Sequence, residues 1–379
     1  MIYKAFQDLK LSALGMGSMR LPTVGGDDRV VDEAAAEAMV RAAFDGGINY
    51  FDTAYGYHGG NSERVMGKIL SQYPRDSFYL ATKFPGYAPT NWPYVKEIFA
   101  EQLQRLQTDY FDFYLFHNVC EMNIDAYLDP KYGIYDHLIR KKRDGTIRHL
   151  GFSVHGALPV MKRFLEAYGR DMEFCQIQLN YWDWDFQDAK AKVALLAEYD
   201  IPVWVMEPLR GGKLAAVCPQ DEAKLKELRP RETAPGWAFR FLQTIPSVVV
   251  TLSGMSTMEQ LRENLAIFAE ERPLNAREWD ALLAIAADAL QGGVLPCTAC
   301  RYCTSHCPQE LDIPRLIALY NEHKVTAAYG FAFIAPMALS ALPKDKKPGA
   351  CVGCRSCETV CPQQIKISEA MADFAAKLG

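Results

Sequence analysis

Apolar residues recur along this chain with two periods. Short runs rich in β-branched and aromatic residues, such as "INYFDTA", "SFYLATKF", "FDFYLFHN" and "SVVVTLSG", read as buried strands. Between such runs lie stretches with apolar positions three and four apart, such as "VDEAAAEAMVRAAFDGG" and "YVKEIFAEQLQRLQ". These read as amphipathic helices. The first stops at Gly46-Gly47, and Asn61 or Ser62 is expected to cap the helix over "NSERVMGKILSQY". A single helix is expected over "FQDAKAKVALLAEYD". In all, eight strand–helix units follow one another over about 270 residues.

Strict alternation implies a parallel sheet with right-handed crossovers. Eight such units fit a closed (β/α)8 TIM barrel better than an open doubly wound sheet. No Gly-x-Gly-x-x-Gly turn follows the first strand, which also counts against the doubly wound dinucleotide fold. The helix-like "NAREWDALLAIAADAL" leads out of the barrel and "QGGVLP" reads as a linker. The expected domains are therefore residues 1–290 and 291–379.

The second domain carries its own signature. "CTACRYCTSHCP" begins at Cys297 and "CVGCRSCETVCP" at Cys351, and both read C-x2-C-x2-C-x3-C-P. That spacing points to two [4Fe–4S] clusters, with structural zinc as the runner-up. The three close cysteines of a motif ligate one cluster and the fourth ligates the other. Cys297, Cys300, Cys303 and Cys361 are then expected around one cluster, and Cys351, Cys354, Cys357 and Cys307 around the second. The pattern resembles a bacterial dicluster ferredoxin. The long insert with "DIPRLIALYNEHK" suggests a small, mostly helical version of it. The remaining three of the eleven cysteines, Cys120, Cys175 and Cys218, have no partner at ligand spacing and read as small apolar residues.

Composition narrows the class further. With 379 residues and nearly half of them apolar, a large barrel core plus a module is within reach. A net charge of −5 argues against nucleic acid as the main partner. The start, "MIYKAFQDLKLSALGMG", lacks a signal peptide's apolar core, and the run "YGFAFIAPMALSAL" contains Pro336 and is too short to span a bilayer. Together with cysteines packed for metal rather than disulfides, this leads to an expected cytoplasmic location without a membrane span.

In a barrel of this kind the active site lies at the C-terminal ends of the strands. The predicted strand ends carry Asp52, then Tyr57 in the following loop, Lys83, His117, Ser153, Gln176 with Gln178 and Asn180, and Glu207. Singly, each suits a turn, a cap or a solvated rim. Together, Asp52, Tyr57, Lys83 and His117 form a proton-delivering group. In that group Lys83 is expected to lower the Tyr57 pKa and Asp52 to hold Lys83. His117 can then hydrogen-bond a substrate carbonyl.

Here the chain resembles the aldo/keto reductase family, over roughly Leu11 to Phe268. "INYFDTAYGYHGGNSERVMG" matches the family's Asp with a Tyr five residues on, "LATKF" its Lys, "YLFHN" its His and "LRENL" its Glu-Asn pair. The resemblance implies Asp52, Tyr57, Lys83 and His117 as catalytic residues. It implies Ser153, Gln176, Met206, Ser253, Glu263 and Asn264 as contacts to NAD(P)H. Departures accompany it: Val154 replaces the family's amide-binding Asn, and Met206 its stacking Tyr. Gly254, Ser256 and Gln260 stand where relatives that take NADP place basic residues.

A flavin is not indicated by any motif. Clusters pass single electrons whereas a nicotinamide passes a hydride, so three readings are open. The clusters deliver electrons to or from the barrel, with a ferredoxin or flavoprotein as carrier. Or the protein is an ordinary NAD(P)H-dependent reductase with structural or redox-sensing clusters. Or it is a non-catalytic electron-transfer or docking subunit. The substrate is expected to be a small molecule, with aromatic loops such as "PGYAPTNWP" shaping a moderately apolar site.

Overall fold

This computed structural model describes all residues except 121–122, 292–293, 296, 298–302, 328–334, 337–338, 340–341, 362 and 379. Two strands open the chain, β1 (Tyr3–Phe6) and β2 (Leu9–Ser12), paired antiparallel across a two-residue turn in which Gln7 has φ 52°. The eight strands read from the sequence follow: β3 (Leu14–Gly17), β4 (Tyr50–Asp52), β5 (Tyr79–Phe84), β6 (Phe111–Val119), β7 (Ile147–Val154), β8 (Cys175–Gln178), β9 (Val203–Met206) and β10 (Val248–Gly254). They close into a parallel barrel in the order β10-β3-β4-β5-β6-β7-β8-β9, with helices between successive strands. Closure sets Gly254 of the last strand beside Gly17 of the first.

The opening hairpin has no counterpart in the sequence reading. It adds Phe6 and Leu11 to the barrel's interior cluster with Tyr50, Phe113, Phe174 and Trp204. The Phe6 ring stands 5.0 Å from that of Trp204, edge to face. Interior packing also explains Gly151 on β7. A Cβ there would fall 2.4 Å from the carbonyl oxygen of Phe174, closer than real Cβ contacts come.

Two local expectations are corrected. The helix Asn61–Leu70 has no side-chain cap, and Gly60, at φ 93°, precedes it. Ser62 is instead buried, bonded to Thr53 Oγ1 at 2.9 Å and donating to the Ser18 carbonyl at 3.1 Å. The helix expected from Phe186 starts at Ala189, after Asp188 at a left-handed φ of 55°, and a separate short helix, Asp183–Phe186, precedes it.

The chain forms two compact units. One comprises Met1–Ala215 with Arg229–Trp279, and the other Ala216–Leu228 with Asp280–Gly379. The second is helical, with Ile313–Ala327 and Ile367–Leu378 packed through an apolar cluster that includes Leu316, Ile317, Met371 and Phe374. Among the described residues no helix is long and apolar enough to cross a membrane.

Candidate active site

Parallel strands deliver their C-terminal residues to one rim, and there the predicted group assembles. Asp52 ends β4 and Lys83 lies near the end of β5, on neighbouring strands. The Lys83 ammonium donates to both Asp52 oxygens, at 2.6 and 2.7 Å, and to the Thr53 carbonyl at 2.7 Å. Both side chains are buried. Burial pulls the Lys83 pKa down and pushes the Asp52 pKa up, each opposed by the other's charge. The Lys83 carbonyl accepts from Gln102 Nε2 at 3.0 Å, and Gln102 Nε2 also donates to buried Glu63 at 2.7 Å. A network behind the rim therefore fixes the strand that carries Lys83.

Tyr57 opens a 3₁₀ turn, Tyr57–Gly60, that holds His58 at φ 52°. This left-handed position is uncommon outside glycine. His58 Nε2 accepts from the Leu21 amide at 3.2 Å, tying that turn to the loop after β3. The Lys83 nitrogen stands 5.3 Å from the centre of the Tyr57 ring, and the His117 ring 6.1 Å from it, edge to face. Tyr87 approaches His117 from its own loop at 5.2 Å.

The expected lowering of the Tyr57 pKa is corrected. Burial pushes it well above the ordinary phenol value, and Asp52, Tyr87 and Glu207 add to the rise. Lys83 does not outweigh this, because its charge is largely offset by the Asp52 carboxylate it is paired with. Tyr57 is therefore a neutral phenol, equipped to give a proton. His117 is pushed well below the ordinary imidazole value, by burial first, then by the charges of Lys83 and His155. Its Nδ1 is buried and has no hydrogen-bond partner among the described residues.

These groups face a cleft of about 420 Å³. Asp52, Tyr57 and His117 line one part of it, and Gln176, Met206, Ser253, Glu263 and Asn264 also line it. Lys83 lies behind the wall. Ser153 is buried outside the lining and accepts from the Asn118 amide at 2.8 Å. Asn264 Nδ2 donates to Ser253 Oγ at 3.0 Å. Gln176 Nε2 lies 3.6 Å from the Met206 sulfur, while its Oε1 is buried without a partner among the described residues.

Three further lining residues received no role in the sequence reading: Arg20, His155 and Glu207. Glu207 was legible only as a polar strand end. Its backbone is held at φ 57°, and its carbonyl accepts from Asn180 Nδ2 at 3.0 Å. Arg20 follows β3 by three residues and His155 directly follows β7, and only their position just past a strand end could have drawn attention to them.

The second unit gathers its thiols. Cys307, Cys351, Cys354 and Cys357, the set read from the crossed ligand rule, line one small cavity. Cys303 and Cys357 are buried in the apolar cluster, with Cys297 and Cys361 packed against it. Cys300 lies outside the described residues. The Leu311 amide donates to the Cys307 sulfur at 3.4 Å. Thiols spread around a cavity suit a cluster, in which each thiolate takes its own iron. Of the other cysteines, Cys120 and Cys175 are buried as expected of apolar residues, but Cys218 is half-buried and its thiol donates to Asp221 at 3.1 Å.

Comparison with known proteins covers both units. The model of the aldo/keto reductase family matches residues 13–287, and that of a 4Fe-4S dicluster domain matches residues 296–366. The uncharacterised oxidoreductase YqkF of Bacillus subtilis is 27% identical over 307 residues, covering 73% of this chain and 92% of that protein. The NADH-specific methylglyoxal reductase of Escherichia coli is 26% identical over 308 residues, covering 68% and 90%. Among solved structures, the holo form of the aldo-keto reductase AKR11C1 from Bacillus halodurans superposes with a TM-score of 0.62 at 26% identity. It covers 75% of this chain and 96% of that one.

Proposed function

The chain belongs to the aldo/keto reductase family and carries a 4Fe-4S dicluster domain after the barrel. From this we propose that it interconverts a carbonyl and an alcohol on a small molecule, with Tyr57 as the proton donor and two [4Fe–4S] clusters passing electrons. The observation that carries the reading is the buried, neutral Tyr57 phenol at the wall of the cleft, beside His117 and in front of the Lys83–Asp52 pair.

A nicotinamide cofactor fits the cleft. The buried Gln176 Oε1, unpartnered among the described residues, is an acceptor suited to the amide group of the nicotinamide, and Met206 offers an apolar, polarisable surface beside it. Ser253, Glu263 and Asn264 would hold the adenosine end. When bound, the reduced cofactor supplies a hydride to the carbonyl carbon. Tyr57 then gives its proton to the carbonyl oxygen, and His117, kept neutral, hydrogen-bonds that oxygen and orients the substrate. The Lys83 charge nearby stabilises the phenolate left behind, which regains its proton from water at the mouth of the cleft.

The eight motif cysteines would hold the two clusters, which exchange single electrons with a carrier of the ferredoxin or flavoprotein kind. A second reading, in which the clusters serve only to hold the module together, is favoured by the burial of Cys303 and Cys357 inside its apolar core.

The test is anaerobic preparation with iron and sulfide counts, followed by titration with NADH and NADPH. About eight irons per chain are expected for two such clusters. Bleaching of the cluster absorption by either nucleotide, or turnover driven by a reduced one-electron donor, supports electron passage. Full carbonyl reduction with a nucleotide, and clusters that no donor reduces, would leave the second reading standing.

A further inference from the structure

The sequence leaves the end of the last strand without a basic residue, yet the folded cleft has one. We propose that Arg20, from the loop after β3, is the cation that holds a phosphate of the dinucleotide in this cleft. This inference rests on the nicotinamide reading above.

Among the described residues lining the cleft, Arg20 is the only arginine or lysine, whereas Asp52, Glu207 and Glu263 are carboxylates. Lys83 already neutralises Asp52. A dinucleotide adds at least two phosphate charges to that surface, so a cation on the lining favours its binding there. Arg20 is exposed, and no ion pair engages it among the described residues.

Its course is set by β3 lying beside β10. The Arg20 carbonyl accepts from Ser256 Oγ at 2.9 Å. The side chain then runs along Gly254, where a Cβ would meet its Cβ, Cγ and Cδ at 3.2 to 3.4 Å. A glycine at this strand end lets the arginine stem lie flat against it. Beyond Gly254 the guanidinium reaches the loop after β9, and Nη2 stands 3.3 Å from where a Cβ on Gly211 would be. That course points the charge toward β9 and β10, away from β4 and β6, which bear Asp52 and His117. A phosphate of the cofactor is therefore favoured over a carboxylate of the substrate. The other polar groups of the last loop are occupied with each other: Gln260 Oε1 accepts from the Ser256 amide at 2.8 Å, and Thr257 Oγ1 from the Gln260 amide at 3.3 Å.

The experiment is direct titration of the anaerobically prepared full chain with NADH and with NADPH, read by tryptophan fluorescence or calorimetry rather than turnover. Arg20→Gln is expected to weaken binding about tenfold or more, and Arg20→Lys to keep part of the affinity. Loss with both nucleotides assigns the contact to the diphosphate, and loss with NADPH alone assigns it to the 2′-phosphate. Unchanged affinity in Arg20→Gln, or equal losses in the Gln and Lys variants, overturns the proposal. If the unaltered protein binds neither nucleotide, the nicotinamide reading fails and this one with it.

Discussion

The two units bury different kinds of group. In the barrel unit, Lys83 and Asp52 are 0% and 4% exposed, and the Arg105–Glu63 and Arg210–Asp183 pairs are nearly as buried. In the second unit, most of the described ion pairs lie at the surface; Arg355 and Glu369, 3.8 Å apart, are 66% and 65% exposed. Its interior is a modest apolar cluster into which cysteines are built. A barrel of eight strands has interior to spare, so it can desolvate charges and use them to set the proton affinity of a tyrosine. A module of about a hundred residues with a thin core is of the kind that metal groups commonly help to hold together. The same desolvation that costs stability at Lys83 and Asp52 would, on the proposed reading, produce the chemistry of the barrel, while clusters on the motif cysteines would add cohesion to the module.

The comparison breaks most sharply at a cluster ligand. Cys357→Ser, at a buried thiol, is expected to lose the cluster of Cys351, Cys354, Cys357 and Cys307, halving the iron count and abolishing spin–spin coupling in the reduced protein. Far-UV circular dichroism should report partial unfolding of the module, and nucleotide binding to the barrel should survive. Retention of all iron would refute the ligand assignment.

Next in size, Tyr57→Phe should lower carbonyl reduction about 10²- to 10⁴-fold with iron content unchanged. Because burial raises the Tyr57 pKa, the phenol stays protonated well past its ordinary value. The unaltered enzyme should therefore show no loss of activity from phenol ionisation as the pH rises toward 10. A descending limb near pH 7 that vanishes in Tyr57→Phe would show that Lys83 does lower this pKa.

Lys83→Met removes one partner of the buried pair and leaves Asp52 without its counter-charge. A loss of about 3–5 kcal/mol in barrel stability is expected by denaturant unfolding. Adding Asp52→Asn should recover much of it, since a neutral amide costs less to bury than an unpaired carboxylate. At the small end, Arg355→Ala in the module should change stability by less than about 0.5 kcal/mol, as exposed pairs do. Comparable losses at Lys83 and Arg355 would erase the contrast between the units.

Much of this molecule follows from local sequence. The alternation of apolar runs with amphipathic stretches suffices for eight strand–helix units, because strand and helix periods are properties of a few neighbouring residues. Asp52, Tyr57, Lys83 and His117 were legible for the same reason: each sits at or just past a strand end, and a parallel barrel brings such ends to one rim. The paired cysteine spacing pointed to a 4Fe-4S dicluster domain without help from the fold, and the matching domain model agrees. Tertiary structure decided the rest. The hairpin of β1 and β2 reads as an ordinary short alternation until the barrel gives Phe6 and Leu11 an interior to fill. The proton affinity of Tyr57 depends on how deeply the ring is buried and on how its charged neighbours Asp52 and Glu207 are placed, and neither is written in the order of residues. Arg20 and Ser256 are 236 positions apart and meet because the first and last barrel strands are neighbours. A cation absent from the last strand's own sequence is thus supplied across the seam where the barrel closes.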